Sequence, residues 1–222
     1  MTSPARRIVT EVLDAVVAGA LPAAAPSLSV ELLAAQHGCT LDEARAALCA
    51  LEQRGIVRAD ADGERRIEAS DRWKLLDGDV ASAVLVRWPS AIFDREAVEA
   101  VRLVAPEAAR LAAARAQRGD VAALAGILER MRRAGDDDAF AAAEADFHRT
   151  LALVSGNRFL AAMLEPLHPA LASARRAGAG GRNALTIALH ERIVEAIRDA
   201  DPDATALAVE DYADHLGSRL ER

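Results

Sequence analysis

The sequence has few aromatic residues, only two cysteines and no long uncharged apolar run. Aromatic residues make up 3% of the 222 residues although 52% are hydrophobic, so Ala, Leu and Val carry most of the apolar content. Ala and Leu are strong helix formers, and few segments alternate as strands do, which predicts a mainly α-helical protein. A chain of this length can form one or two domains, each with a sizeable core.

These absences exclude several protein classes. Cys39 and Cys49 match neither a disulfide framework nor a zinc motif, and we expect both to be buried free thiols. The N-terminus lacks the apolar core of a signal peptide, and no uncharged run reaches the roughly 20 residues that span a bilayer. We therefore expect a soluble, cytoplasmic protein. Its formal net charge of -7 argues against bulk non-specific nucleic-acid binding, although a local basic face can persist.

The first 70 residues combine short helical segments with two short strands. The predicted elements, in chain order, are helices at 5–18, 30–37 and 41–54 and strands at 56–58 and 65–69. Thr40 and Glu43 form a capping box at the start of the third helix. Three helices followed by a two-stranded wing predict a winged helix-turn-helix domain.

Four segments of this domain resemble the N-terminal domain of the GntR-type bacterial transcription regulators. They are residues 19–22, 32–38, 44–48 and 51–57. In that family the third helix reads the major groove and the wing lies along the DNA backbone, so the resemblance implies binding to a double-stranded DNA operator. The candidate DNA-binding residues are Arg6, Arg7, Thr40, Arg45, Arg65 and Arg66.

The domain departs from the family where the third helix begins. The family usually has Ser-Arg-x-Pro-Val there, whereas this chain has Thr40-Leu-Asp-Glu-Ala44, which removes one arginine and adds two acids. Residues 1–72 contain eight Arg against eleven Asp and Glu, a net charge of -3. Because cationic contacts to phosphate supply much of the affinity for DNA, this domain has fewer such contacts to offer than usual.

The rest of the chain reads as helices separated by short breaks. After a helical segment that reaches Trp88-Pro89, six longer helices are predicted at about 93–118, 120–134, 137–155, 158–177, 183–200 and 203–221. Six or seven helices with short connections predict an antiparallel bundle. We therefore expect two domains, residues 1–70 for DNA binding and 71–222 for effector and metal binding.

Residues 144–157 carry the most informative motif of the bundle. Glu144 and His148 lie one turn apart on one helical face, beside the apolar stripe of Phe147, Leu151 and Val154. A carboxylate and an imidazole held towards a packed interior can form half of a metal or ligand site.

Four segments of the second part resemble the ligand-sensing domain of the FadR subfamily of GntR regulators. They are residues 73–77, 101–113, 147–157 and 190–197, and the first is most similar to members that respond to sugar acids such as aldonates. The resemblance implies a homodimer that acts as a repressor, is relieved by a small carboxylate effector, and is not an enzyme.

The resemblance also implies a metal site. In the metal-binding branch of the subfamily, an Asp and a His four residues apart are joined by two His from the last two helices. Glu144 falls on the Asp position, and His148 and His190 match directly. The usual spacing places Tyr212 at the last position, with His215 three residues later on nearly the same face. Either His215 completes a Zn²⁺ or Ni²⁺ site, or Tyr212 occupies it with one nitrogen ligand fewer.

The candidate effector contacts are Arg102, Asn157 and Tyr212, since a guanidinium can bind a carboxylate in two places. His37 and His168 match nothing in the family, and we expect them to be structural or exposed. Two alternative functions remain. One is a metal-dependent enzyme with Glu144 as base, which lacks an evident nucleophile and leaves the winged helix unexplained. The other is a metal-binding sensor or scaffold with weakened DNA binding.

Overall fold

The computed structural model describes residues 3–22, 27–61, 64–88, 91–168 and 184–220. The chain divides into two compact units, Met1–Pro89 and Ser90–Arg222, called unit 1 and unit 2 here. Within the described residues, helices dominate both units and the β-structure is one two-stranded sheet. The predicted mainly α-helical fold is therefore confirmed.

Unit 1 has the order of elements that defines a winged helix-turn-helix. Its elements are α1 (Pro4–Val17), α2 (Val30–His37), α3 (Leu41–Gln53), β1 (Val57–Ala59), β2 (Arg65–Ile67), a 3₁₀ turn (Ser70–Arg72), α4 (Gly78–Ser82) and a π-helical turn (Ala83–Arg87). The two strands pair antiparallel, with Val57 opposite Ile67. They form the predicted wing directly after the third helix.

Specific end caps fix the turn between α2 and α3. Gly38 ends α2 in the left-handed conformation, with φ of 59°, which glycine adopts without steric cost. Thr40 begins α3, and its hydroxyl accepts a hydrogen bond from the N–H of Glu43 at 3.3 Å. In return the Glu43 carboxylate accepts one from the N–H of Thr40 at 2.9 Å. These hydrogen bonds lower the pKa of Glu43 and hold the start of α3 in place.

The apolar faces of the elements of unit 1 meet in one core. Its fully buried large side chains include Ile8, Leu13, Leu33, Leu48, Leu51 and Ile56. Burial of each such side chain is worth roughly 1.5–3 kcal/mol relative to exposure, so the core holds α3 against α1 and the wing.

The segment after the wing belongs to unit 1 as well. Val80 and Ala83 are part of the same core. On the surface, the Arg54 guanidinium at the end of α3 pairs with Asp77 at 3.1 Å and with Asp79 at 2.6 Å. The division between units therefore falls after Pro89, later than the boundary expected at residue 70, because these contacts tie the connecting segment to α3.

Unit 2 is a bundle of helices with short connections. Its described helices are α5 (Ala91–Arg115), α6 (Arg118–Arg133), α7 (Asp137–Val154), α8 (Arg158–Leu164) with a following 3₁₀ turn (Glu165–Leu167), α9 (Ala184–Arg198) and α10 (Pro202–Leu220). The predicted ends agree within three residues except for 158–177. There α8 ends at Leu164, because Pro166 has no N–H to continue the helix. Residues 169–177 of that prediction lie outside the described residues.

The core of unit 2 combines small and large side chains. On α5, Ala109 and Ala112 are fully buried, and their size lets neighbouring helices approach closely. Phe140 and Phe147 of α7 fill the centre together with Ile193 of α9. Among the few buried polar residues here are a glutamate and two histidines, so this interior holds more than a packing core.

Two smaller expectations are also tested by the structure. Both cysteines are free, but Cys39 is only partly buried and Cys49 is exposed, so the expectation of two buried thiols is wrong. Among the helices of the described residues, none is both long enough and apolar enough to cross a membrane.

Candidate functional site

A buried cluster of ionisable side chains lies inside unit 2 between α7, α9 and α10. Glu144 and His148 of α7 and His190 of α9 each place one ligand atom within 4.8 Å of the others. Their relative exposures are 2%, 8% and 0%, so the group is shielded from bulk water. A carboxylate and two imidazoles at this spacing are a donor set that suits Zn²⁺ or a similar borderline cation.

The two imidazoles have the spacing of ligands to one ion. The Nε2 atoms of His148 and His190 are 3.2 Å apart. Two nitrogens bound to one metal at about 2.1 Å lie roughly 3.0–3.4 Å apart when the angle between them is about 90–110°. The Nδ1 of His190 lies 2.7 Å from the carbonyl oxygen of Thr186, an acceptor that orients the Nε2 lone pair towards His148. The residues present therefore fit a metal ion.

The cluster also favours the protonation state that a metal needs. Burial lowers the pKa of His148 well below its ordinary value, and the neighbouring His190 and His168 lower it further. Neutral imidazole is the form that binds a metal ion, whereas imidazolium cannot. No proton therefore has to be displaced from a charged His148 near neutral pH.

Tyr212 of α10 completes the wall of the cluster. Its hydroxyl donates a hydrogen bond of 3.0 Å to Oε1 of Glu144. Its ring stacks on His148 with centroids 4.8 Å apart and meets the ring of His190 edge to face at 4.7 Å. Of the two alternatives for the last helix, the geometry thus favours Tyr212.

His215, predicted as the fourth ligand, is not a member of the cluster in the described residues. Three residues of α-helix advance a side chain by about 4.5 Å along the axis, which takes His215 past the level of Glu144 and His148. The cluster is therefore one carboxylate and two imidazoles, with a phenol where a third imidazole was expected.

Two other predicted effector contacts are engaged elsewhere in unit 2. The Arg102 guanidinium of α5 forms an ion pair with Asp214 of α10 at 3.1 Å. The Asn157 side chain accepts hydrogen bonds from the N–H groups of Phe159 and Leu160 at 3.0 and 3.3 Å, which caps α8. Neither residue lines the cavity that adjoins the metal-binding cluster.

This cavity lies between α5, α7, α8 and α10. Apolar side chains form most of its wall, among them Val101, Ala105, Leu151, Leu164, Val209 and Ala213. The polar part of the wall comes from His148, Tyr212 and His168. The space between the lining atoms is about 390 Å³, including the part that is open to solvent.

His168 is a site residue that sequence reasoning missed. It was expected to be structural or exposed, yet its ring lies 6.2 Å from that of His148 across the cavity. Burial and the charge of Arg149 lower its pKa to about 4, so the ring is neutral near pH 7. Its sequence neighbourhood offered no signal, because it matches no family motif and the chain turns sharply just before it.

A second candidate site, for nucleic acid, lies on α1, α3 and the wing of unit 1. All five candidate arginines pair with an acid. The pairs are Arg6–Asp79 at 4.0 Å, Arg7–Glu11 at 3.9 Å, Arg45–Asp42 at 2.6 Å, Arg65–Glu52 at 2.7 Å and Arg66–Asp60 at 3.2 Å. The hydroxyl of Thr40 takes part in the cap of α3. Phosphate must therefore compete with carboxylates of the protein for these cations.

Comparisons with known proteins agree with this two-part organisation. The model of the FCD domain family matches residues 96–215, which include the whole metal-binding cluster. A comparison with curated protein sequences gives no match. Three solved structures show the fold over nearly the whole chain at low sequence identity. They are Lar, which controls expression of the agr system of Listeria monocytogenes (TM-score 0.71, 15% identity, 100% of this chain and 98% of that one), E. coli McbR/YncC (0.53, 17%, 100% and 98%) and Streptococcus agalactiae GntR (0.51, 18%, 98% and 100%).

The chain therefore belongs to the FCD-domain family. With a winged helix-turn-helix unit before this domain, it is a GntR-type transcription regulator of the FadR subfamily and not an enzyme.

Proposed function

We propose that this protein is a metal-dependent repressor whose grip on DNA is released by a small carboxylate. The observation that carries the proposal is the buried group of Glu144, His148 and His190, whose ligand atoms lie within 4.8 Å of one another. An interior otherwise built from Ala, Leu, Val and Phe has little use for three such groups unless they bind something, since buried ionisable groups are costly when unpaired.

Glu144, His148 and His190 would hold the ion, with Zn²⁺ or Ni²⁺ the best match to these donors. A bound cation supplies a positive charge that attracts the carboxylate of an effector. Tyr212 orients Glu144 through its hydrogen bond, and the ring of Phe147, 4.8 Å from that of His190, packs the imidazole in place. Together these contacts keep the donors fixed towards the adjoining cavity.

The DNA-binding part of the proposal rests on unit 1. A homodimer would present two copies of α3 to successive major grooves of a near-palindromic operator, with Arg45 and the wing arginines near the backbone. The effector regulates DNA binding only if it binds one arrangement of the dimer more tightly than the other.

Two measurements test the proposal. Elemental analysis should find about one metal ion per chain in the wild type and far less in His148→Ala, whereas equal and sub-stoichiometric metal in both would overturn the metal site. Fluorescence anisotropy with a duplex from upstream of its own gene should show salt-dependent binding that requires the metal. A metal-loaded protein that binds no such duplex would overturn the repressor function.

A second candidate function is a metal-binding sensor or scaffold with weakened DNA binding. The pairing of all five candidate arginines with acids favours it. The same anisotropy experiment separates the two, because a scaffold keeps its metal and its fold but has no preference for operator over unrelated DNA.

A further inference from the structure

The cavity beside the metal-binding cluster has polar groups in one part of its wall only. Eight of its lining residues are Ala, Val or Leu, and the remaining three are His148, His168 and Tyr212. The rings of His168 and Tyr212 both lie next to His148, at 6.2 and 4.8 Å between centroids. The polar groups are thus gathered around the cluster, and the rest of the wall offers hydrocarbon.

Such a wall disfavours a polyhydroxylated ligand. Each hydroxyl of a sugar acid that enters an apolar cavity without a partner costs roughly 1–3 kcal/mol. Among the described lining residues there is no Arg, Lys, Asp, Glu, Asn, Gln, Ser or Thr to accept or donate such hydrogen bonds. The segment that resembles sugar-acid responders, residues 73–77, lies in unit 1 and is not part of this wall.

His168 provides a polar group that a ligand can satisfy. Its Nδ1 is buried and has no hydrogen-bond partner among the described residues. A buried nitrogen left without a partner is unfavourable, and an acceptor brought by a ligand removes that cost. Because His168 faces the same cavity as His148, one carboxylate can reach both the cluster and this nitrogen.

We infer that the effector is a short monocarboxylate with an apolar body, bound with its carboxylate between the cluster and His168. This inference rests on the proposed function, from which it takes the metal-bound carboxylate. The hydrocarbon body would lie against Val101, Leu151 and Val209. The volume of about 390 Å³ is near the small end of ligand pockets, roughly 300–1,000 Å³, which limits the body to a short chain.

Calorimetric titration of the Zn²⁺-loaded full chain with hexanoate and with gluconate tests the inference directly. The two acids have the same charge and the same number of carbons, and they differ in the hydroxyls. Hexanoate should bind at least tenfold more tightly. Equal or tighter binding of gluconate, or no binding of either acid, would overturn the inference.

Two variants locate the binding site. His168→Gln should weaken hexanoate binding about tenfold without changing the zinc content, and Val209→Thr, which adds a hydroxyl to the wall at constant size, should also weaken it. The matched control is His37→Gln, because His37 pairs with Glu11 in unit 1 at 2.8 Å and lies far from the cavity in sequence and in fold. Unchanged hexanoate affinity in both cavity variants would overturn the inference.

The titration needs no DNA, so its outcome separates the inference from the proposed function. If hexanoate binds tightly but leaves operator affinity unchanged, the inference stands and release by effector fails. If gluconate binds more tightly and releases the operator, the proposed function stands and the inference fails.

Discussion

Tyr212 of α10 donates a hydrogen bond of 3.0 Å to Glu144 of α7, across the space where His148 and His190 approach each other. Tyr212 is 1% exposed, so this bond is formed without competition from water. It links the carboxylate of the metal-binding cluster to the last helix of the bundle. Any change in the charge or position of Glu144 is therefore felt by α10.

Replacement of Tyr212 tests its place in the cluster. Tyr212→His puts an imidazole beside two others and a carboxylate, so we expect Zn²⁺ affinity to rise tenfold or more. Tyr212→Phe keeps the ring but removes the hydroxyl that orients Glu144, and loss of such a supporting hydrogen bond typically costs 10–100-fold in metal affinity. Competition with a fluorescent chelator measures both values.

His215→Ala is the matched control for this pair of variants. Because His215 is not a member of the cluster, its removal should leave Zn²⁺ affinity unchanged. A loss of affinity in His215→Ala combined with no change in the Tyr212 variants would mean that His215 is the ligand after all.

The sequence predicted the fold well because its signals are local. The capping box of Thr40 and Glu43, the left-handed Gly38 and the apolar spacing of the helices each act within a few residues. The Glu144–His148 pair was visible for the same reason, since one helical turn brings the two together.

The rest of the site depends on how helices pack, which spacing along one helix does not encode. Tyr212 and His215 are nearly equivalent in sequence, and only the register of α10 against α7 distinguishes them. His168 reaches the cavity because α8 ends at Leu164 and a 3₁₀ turn follows. Likewise, Arg102 has the chemistry of a carboxylate anchor, but Asp214 on the neighbouring helix engages it.

The buried histidines predict a pH-dependent stability for the metal-free protein. The pKa of His168 is lowered from 6.5 to about 4, so the unfolded chain binds more protons than the folded one between these values. Stability is then complete above pH 6.5 and is lost as the pH falls towards 4. From His168 alone, we expect unfolding to cost about 1–2 kcal/mol less at pH 5 than at pH 7.5.

Urea unfolding of chelator-treated protein, followed by circular dichroism, measures this difference. The lowered pKa of His148 adds to it in the same direction. His168→Gln should reduce the difference between the two pH values, and an unchanged difference in that variant would contradict the assignment.

The ion pair between Asp42 and Arg45 predicts that DNA binding can be strengthened by removal of an acid. Asp42→Asn should release Arg45 for phosphate, with tighter binding and a steeper dependence on salt by about one unit of log K per log salt. Arg45→Ala should weaken binding to all sequences. Anisotropy titrations at several salt concentrations measure both effects.

Arg133→Ala serves as control for the loss of a positive charge. This arginine lies on α6 of unit 2 and pairs with Glu129 of the same helix at 2.7 Å, so we expect unchanged DNA affinity. If Arg133→Ala weakens binding as much as Arg45→Ala does, the effect reflects net charge and not contact by α3.

Two glycines with similar backbone angles predict very different costs of substitution. Gly55, after α3, has φ of +71°, and a Cβ there would lie 2.3 Å from the backbone carbonyl oxygen of Arg72. Gly38 has φ of +59° but open space around it. Gly38→Ala should cost about 1–2 kcal/mol from the left-handed conformation alone, whereas Gly55→Ala adds a clash with backbone that cannot rotate away. We expect its total cost to exceed that of Gly38→Ala by at least about 2 kcal/mol, in the range of severe single mutations. Both tryptophans, Trp73 and Trp88, lie in unit 1, so urea unfolding followed by tryptophan fluorescence reports on this unit. Equal costs for the two variants would show that the segment around Arg72 can move away from α3, and the tie between the wing and the connecting segment would be weaker than the structure indicates.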